Sequence, residues 1–152
     1  MTRFLLTLMF SGLMMMQAQA QASKTFLKTL SLDGATDVVL ALDGKLVVTE
    51  WNENYLRVET NITATNIDEF VLKQLAEAGR YRLEAVLDGT SLVVTCPKVS
   101  RKAVVSGQPV NEQFMFQVFV PKGYGTQQTA PPTPAAPVQQ TAPMQAVAAP
   151  SM

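Results

Sequence analysis

Five carboxylates crowd one short stretch of the chain: Asp33, Asp37, Asp43, Glu50 and Glu53. A pair of carboxyl groups converging across a cleft can cut a glycosidic bond, one as acid and the other as base or nucleophile, and several together can hold calcium. Turn chemistry competes for the same residues. Asp33, Asp43 and Asp88 each precede a glycine, where an aspartate side chain bonds its own backbone and favours the bend. No EF-hand or nonapeptide spacing accompanies them, so neither a metal nor any other cofactor is expected.

Other catalytic chemistry is bounded by what the composition lacks. The sequence contains no histidine and a single cysteine, Cys96. That removes Ser-His-Asp and Cys-His machinery, thiolate metal clusters, dithiol redox centres and an internal disulfide. Neither a GxGxxG nor a P-loop occurs to cradle phosphate. Cys96 ends the apolar run SLVVTC, where a buried, inert thiol is expected. The 12 basic residues balance the 12 acidic ones, so nothing in the charge attracts nucleic acid or an anionic membrane.

Binding chemistry is better supplied. Trp51 and Tyr55 flank the polar loop Asn52-Glu53-Asn54, and with Tyr81 and Tyr124 they could form an aromatic strip for carbohydrate or peptide. Trp51 and Tyr55 are the candidate binding surface. A different ligand class would need an apolar pocket lined by residues such as Phe70, Phe114 and Phe116.

The elements that must position these residues are mostly strands. Runs at 25–32, 38–42, 46–49, 56–60, 81–87, 91–96, 101–106 and 112–121 alternate or concentrate apolar residues between turns. Asp43-Gly44 and Asp88-Gly89 read as hairpin turns. In the last run phenylalanine occurs at both Phe114/Phe116 and Phe119, which predicts a strand buried on both faces. One helix is expected over 66–80, with Asn66 as N-cap and Glu69 closing a capping box. Phe70, Val71, Leu75 and Ala78 form its apolar face, and Gly79 ends it. The fold class is mainly β, an antiparallel sandwich or a short β-roll or β-helix-like domain with one packed helix.

At the front, one positive charge at Arg3, an uncharged apolar run over 4–16 and the small, polar segment 17–22 read as a secretory signal peptide. Cleavage fits Ala18 with Ala20, or Ala20 with Ala22. The apolar run is shorter than the roughly 20 residues a membrane-crossing helix needs. Of the 12 basic residues only Arg3 lies in this leader, so 11 remain against 12 acidic ones once it is removed. At the far end, 126–152 is rich in Pro, Ala and Gln and carries no charge, a composition that predicts a disordered tail. Residues 1–22, 23–125 and 126–152 are thus leader, β-rich domain and tail.

The succession GATDVVLALDGKLVVTEWNENYLRVETN, then a helical segment, RYRLEAVLDGTSLVV and FQVFVPKG resembles the auto-transporter adhesin head GIN domain family of bacterial envelope proteins. Gly34, Val38 and Leu40, then Val48 and Leu56, Leu92 and Val94, and Val118 and Pro121 are the corresponding positions. The resemblance implies an exported module of the periplasm or cell surface, with no catalytic residues. It implies adhesin-like or structural binding of an envelope protein or glycan, or self-association through a sheet edge. Two other functions fit the residues: a carboxylate-dependent hydrolase or lyase of envelope polysaccharide, and a soluble periplasmic ligand-binding protein.

Overall fold

The segment LRVETNITAT alternates without a break: Leu56, Val58, Thr60, Ile62 and Ala64 are buried, and the five residues between them are half-exposed. Period-two alternation is what a strand with one face on a core and one toward solvent requires. The computed structural model describes residues 21–131, and this segment is β4 (Leu56–Thr65) at the heart of it. Around it stand β1 (Gln21–Leu30), β2 (Asp37–Ala41), β3 (Lys45–Trp51), α1 (Glu69–Glu77), β5 (Glu84–Asp88), β6 (Ser91–Thr95), β7 (Val104–Val105), β8 (Gln108–Pro109), β9 (Asn111–Pro121) and β10 (Gly125–Gln128).

The strands form two four-stranded sheets, ordered β1-β4-β9-β3 and β10-β2-β6-β5, with β7 and β8 as a separate ribbon. Phe116, Val118 and Leu56 from the first sheet and Val38, Leu40 and Val94 from the second belong to one buried cluster. The domain is therefore mainly β and sandwich-like, with one helix. Pairing is mixed rather than antiparallel: β2 runs parallel to both β6 and β10, and β3 runs parallel to β9. Apolar period alone does not distinguish the two directions, because both put alternate residues on one face.

That mixture changes the role of the first Asp-Gly turn. β2 and β3 lie in different sheets, so Asp43-Gly44 is a corner between layers and not a hairpin. A Cβ on Gly44 would sit 2.7 Å from the Phe114 carbonyl oxygen and 2.8 Å from the Phe114 Cβ. Close backbone approach demands the glycine there. By contrast, Asp88-Gly89 does join the antiparallel neighbours β5 and β6. A further hairpin lies within 101–106 and beyond: β7 and β8 pair around Ser106 and Gly107, whose φ angles of 50° and 78° give the left-handed turn that a two-residue connection prefers.

β9 is buried on one face only. Phe116, Val118 and Val120 are at most 1% exposed, whereas Met115 on the other face is 41% exposed. Phe119 is half-buried because Trp51 and Arg57 cover it.

The helix begins two residues later than its sequence suggests. Asp68 is the N-cap, its Oδ1 accepting from the Val71 N–H at 2.8 Å. Asn66 instead adopts φ 66°, donates to the Pro109 carbonyl at 3.0 Å and accepts from the Asn111 N–H at 3.3 Å, tying the helix entrance to β8 and β9. Leu72 is the fully buried helix residue, and Phe70 is 66% exposed. The packed stripe is Ile67, Val71, Leu72, Leu75 and Ala76. At the other end Gly79, with φ 73°, and Arg80 donate to the Ala76 and Leu75 carbonyls, a Schellman closure.

Thr60, 1% exposed, is a polar residue set in the core, and its hydroxyl has no partner among the described residues. Replacing it by valine removes that unmet desolvation at nearly constant shape. Thr60→Val is expected to raise stability by about 1 kcal/mol, read from the urea midpoint at unchanged slope.

β1 starts at Gln21 and β10 takes in 126–128. Thr and Gln pair readily once a strand is offered to them, and β10 is held along β2 from Gly125↔Asp37 to Gln128↔Leu40. Ala20, with the rest of 1–20, and the tail from 132 lie outside the described residues.

Candidate binding surface

The outer face of the first sheet is built by the residues that alternate with its core: Leu27 and Thr29 on β1, Arg57 and Glu59 on β4, Gln117 and Phe119 on β9, and Val47 and Thr49 on β3, with Arg57↔Phe119 and Thr49↔Phe119 in register. At the Pro121 end of β9, β3 and β4 flank that strand, and the loop 52–55 crosses its end to join them. Trp51 sits at the start of this loop and Tyr55 at its close.

These two aromatics touch. Their ring centroids are 4.9 Å apart, edge to face, and the Trp51 indole N–H donates to the Tyr55 carbonyl at 3.0 Å. Phe119 lies 5.3 Å from Trp51, and the Arg57 guanidinium sits 5.5 Å above the Phe119 ring while pairing with Glu59. Trp51 thus contacts two rings and has its indole hydrogen engaged, so it buttresses the loop while Tyr55 closes it. The sequence reading missed Phe119 and Arg57. Both become visible only through the β4-β9 register, because they are far apart in the chain.

Tyr81 and Tyr124 do not join this strip. Tyr81 is 6% exposed, in the core beside Phe26 and Phe114, and Tyr124 packs against the core at the turn into β10. The three phenylalanines suggested for an apolar pocket also separate, since Phe116 is fully buried, Phe114 packs on the core and Phe70 faces outward.

Nor do the carboxylates share a cleft wall. Asp37 opens β2 in the second sheet and accepts from the Thr36 hydroxyl at 2.8 Å, Glu50 lies exposed on β3 in the first, and Glu53 is in the loop after it. Among the described residues no group of three or more His, Cys, Asp or Glu side chains is placed to hold a metal ion.

The most heavily built polar cluster is structural. Arg80, with its side chain 11% exposed, faces Glu112, at 4%. Arg80 Nε donates to both Glu112 oxygens at 2.8 and 3.1 Å, Nη2 donates to the same carboxylate, and the remaining fork reaches the Lys98 and Arg101 carbonyls at 3.1 and 2.7 Å. The Tyr81 hydroxyl donates to Glu112 Oε1 at 2.6 Å. Burial opposes the guanidinium charge, but the Glu112 carboxylate outweighs it and lifts the Arg80 pKa. Burial, reinforced by Glu112, drives the Tyr81 phenol well above its ordinary value. Cys96 is buried, its Sγ donating to the Arg82 carbonyl at 3.6 Å, and burial pushes the thiol up to about 11, which leaves it protonated and unreactive.

No protein-family model matches the chain, and no curated protein matches it. A solved structure described as a "putative cell adhesion protein" from Clostridium sporogenes ATCC 15579 is similar over 70% of this chain, with 14% identity and a TM-score of 0.42. The similarity spans 45% of that structure's length. Among the described residues, no helix is long and apolar enough to cross a membrane.

Proposed function

We propose that this protein is an exported envelope module of adhesin-like or structural interaction type, and that its contact surface is the outer face of the first sheet around Tyr55. The observation that carries the reading is the Trp51–Tyr55–Phe119 cluster, an aromatic ledge pinned by a hydrogen bond and set on an open sheet face. Rigid aromatics with a polar tip are suited to recognition because little conformational freedom is lost on contact. The GIN domain resemblance supports the same reading: Val38↔Leu92, Leu40↔Val94 and Val48↔Val118 are in register in parallel pairs, the stacking that a coil-on-coil module needs.

Recognition through the face is favoured over pairing through an edge. Three of the four sheet edges carry charges, β1 with Lys24 and Lys28, β3 with Lys45 and Glu50, and β5 with Glu84 and Asp88, and the fourth, β10, is a four-residue strand. Charges on edges are the usual block to strand addition. The test is capture of envelope components on the immobilised exported protein and on Tyr55→Ala, with circular dichroism confirming the fold. Capture lost in the variant is expected; equal capture removes this surface from the function.

Export also makes a prediction about processing. Ala22 is 2% exposed and pairs with Ala64, and Gln21 pairs with Thr65. A cut after Ala22 would strip both rungs from the β1-β4 ladder. The expected mature N-terminus is therefore Gln21, following cleavage after Ala20, as read by intact mass and N-terminal sequencing of the exported protein. A chain beginning at Ser23 contradicts this.

A further inference from the structure

We propose that the groove beside Tyr55 is a binding site for a neutral saccharide, an inference that rests on the reading of this face as the contact surface. Thr29 and Leu30 pair with Arg57 and Leu56 as the last rungs of the β1-β4 ladder. The chain leaving β1 and the loop entering β4 therefore emerge side by side. Between them lies a depression of about 330 Å³ lined by Thr29, Leu30, Ser31, Asp33, Asn54 and Tyr55. That is at the small end of the roughly 300–1,000 Å³ that ligand sites occupy, a size for one or two sugar rings.

The lining has the chemistry of a polyol site. A sugar ring offers an apolar C–H face and a rim of hydroxyls that both donate and accept. An aromatic ring with an electron-rich face receives the first. A carboxylate, an amide and two hydroxyls receive the second, since the carboxylate accepts, the amide does both, and the hydroxyls rotate to suit. Ser31 Oγ accepts from the Asp33 N–H at 3.4 Å, which leaves its own proton free to donate outward. Asp33 is the lining's only ionisable group besides the Tyr55 phenol, so the groove's charge disfavours anions. Tyr55 is held in place at the groove's edge by the Trp51 hydrogen bond and ring contact.

The test is saturation-transfer NMR on the full exported chain with methyl β-glucoside, lactose and chitotriose, and with sialyllactose as the anionic counterpart. At least one neutral probe is expected to bind, with sialyllactose weaker than lactose. Asp33→Asn keeps the turn chemistry and removes the charged acceptor, and it is expected to weaken binding about tenfold or more, as is Tyr55→Ala. Absence of transfer to all three neutral probes, preference for the anionic one, or binding that both variants leave intact overturns the proposal. Envelope capture run on the same variants separates the two readings. Tyr55-dependent capture without sugar binding keeps the contact surface and rejects the saccharide, whereas capture indifferent to Tyr55 rejects both.

Discussion

Arg80→Ala is expected to cost roughly 3–5 kcal/mol, a large part of the stability of a domain this size. The side chain joins three segments: the helix exit, the 98–101 linker through two carbonyls, and β9 through Glu112. Removing it leaves the Glu112 carboxylate, 4% exposed, with only the Tyr81 hydroxyl for a partner, and strands two backbone carbonyls. A buried charge without its counterion is among the costliest defects a fold can carry. Glu112→Ala is expected to be similarly severe, because it leaves the guanidinium unpaired. The double variant Arg80→Met/Glu112→Leu is expected to recover much of the loss, since an apolar pair of similar volume relieves both desolvation penalties. Urea unfolding of the parent, Arg80→Met, Glu112→Leu and this double variant forms the cycle. Strictly additive losses would show that the two groups act independently.

This cluster was illegible in the sequence. Arg80 reads as a helix-end cation and Glu112 as a polar residue opening a strand, and they are 32 residues apart. What was legible has a short physical range. Alternation in 56–60 predicts β4 because burial of one sheet face imposes period two locally, and Gly79 predicts the helix exit because the left-handed residue after a helix is a local requirement. Trp51 and Tyr55 are neighbours across the three-residue loop Asn52-Glu53-Asn54, yet the third ring, Phe119, arrives through register. Asn66 fails as a cap for a similar reason. Its side chain is engaged by Pro109 and Asn111, and Asp68 takes the cap two positions on.

The second large effect concerns a glycine whose sequence context names the wrong structure. If Asp43-Gly44 closed a two-residue hairpin, Gly44→Asn would be tolerated, because asparagine accepts the positive φ such turns require. At a corner packed on β9, with Gly44 at φ 153°, both the space and the backbone conformation oppose a side chain. An added Cβ meets the Phe114 carbonyl oxygen at 2.7 Å and the Phe116 ring at 3.1 Å. The ring can shift by tenths of an ångström, but the carbonyl belongs to a strand bonded on both sides, by β4 and β3, and has little freedom to yield. Gly44→Ala is therefore expected to cost roughly 1–3 kcal/mol and Gly44→Asn at least as much. Gly89→Asn, in the β5-β6 hairpin where a Cβ meets nothing within 4 Å, is expected to stay within about 1 kcal/mol of the parent. Thermal unfolding of the three variants separates the cases. Equal tolerance at Gly44 and Gly89 would mean that Gly44 does not pack against β9, and the path by which β2 hands the chain to β3 would have to be redrawn.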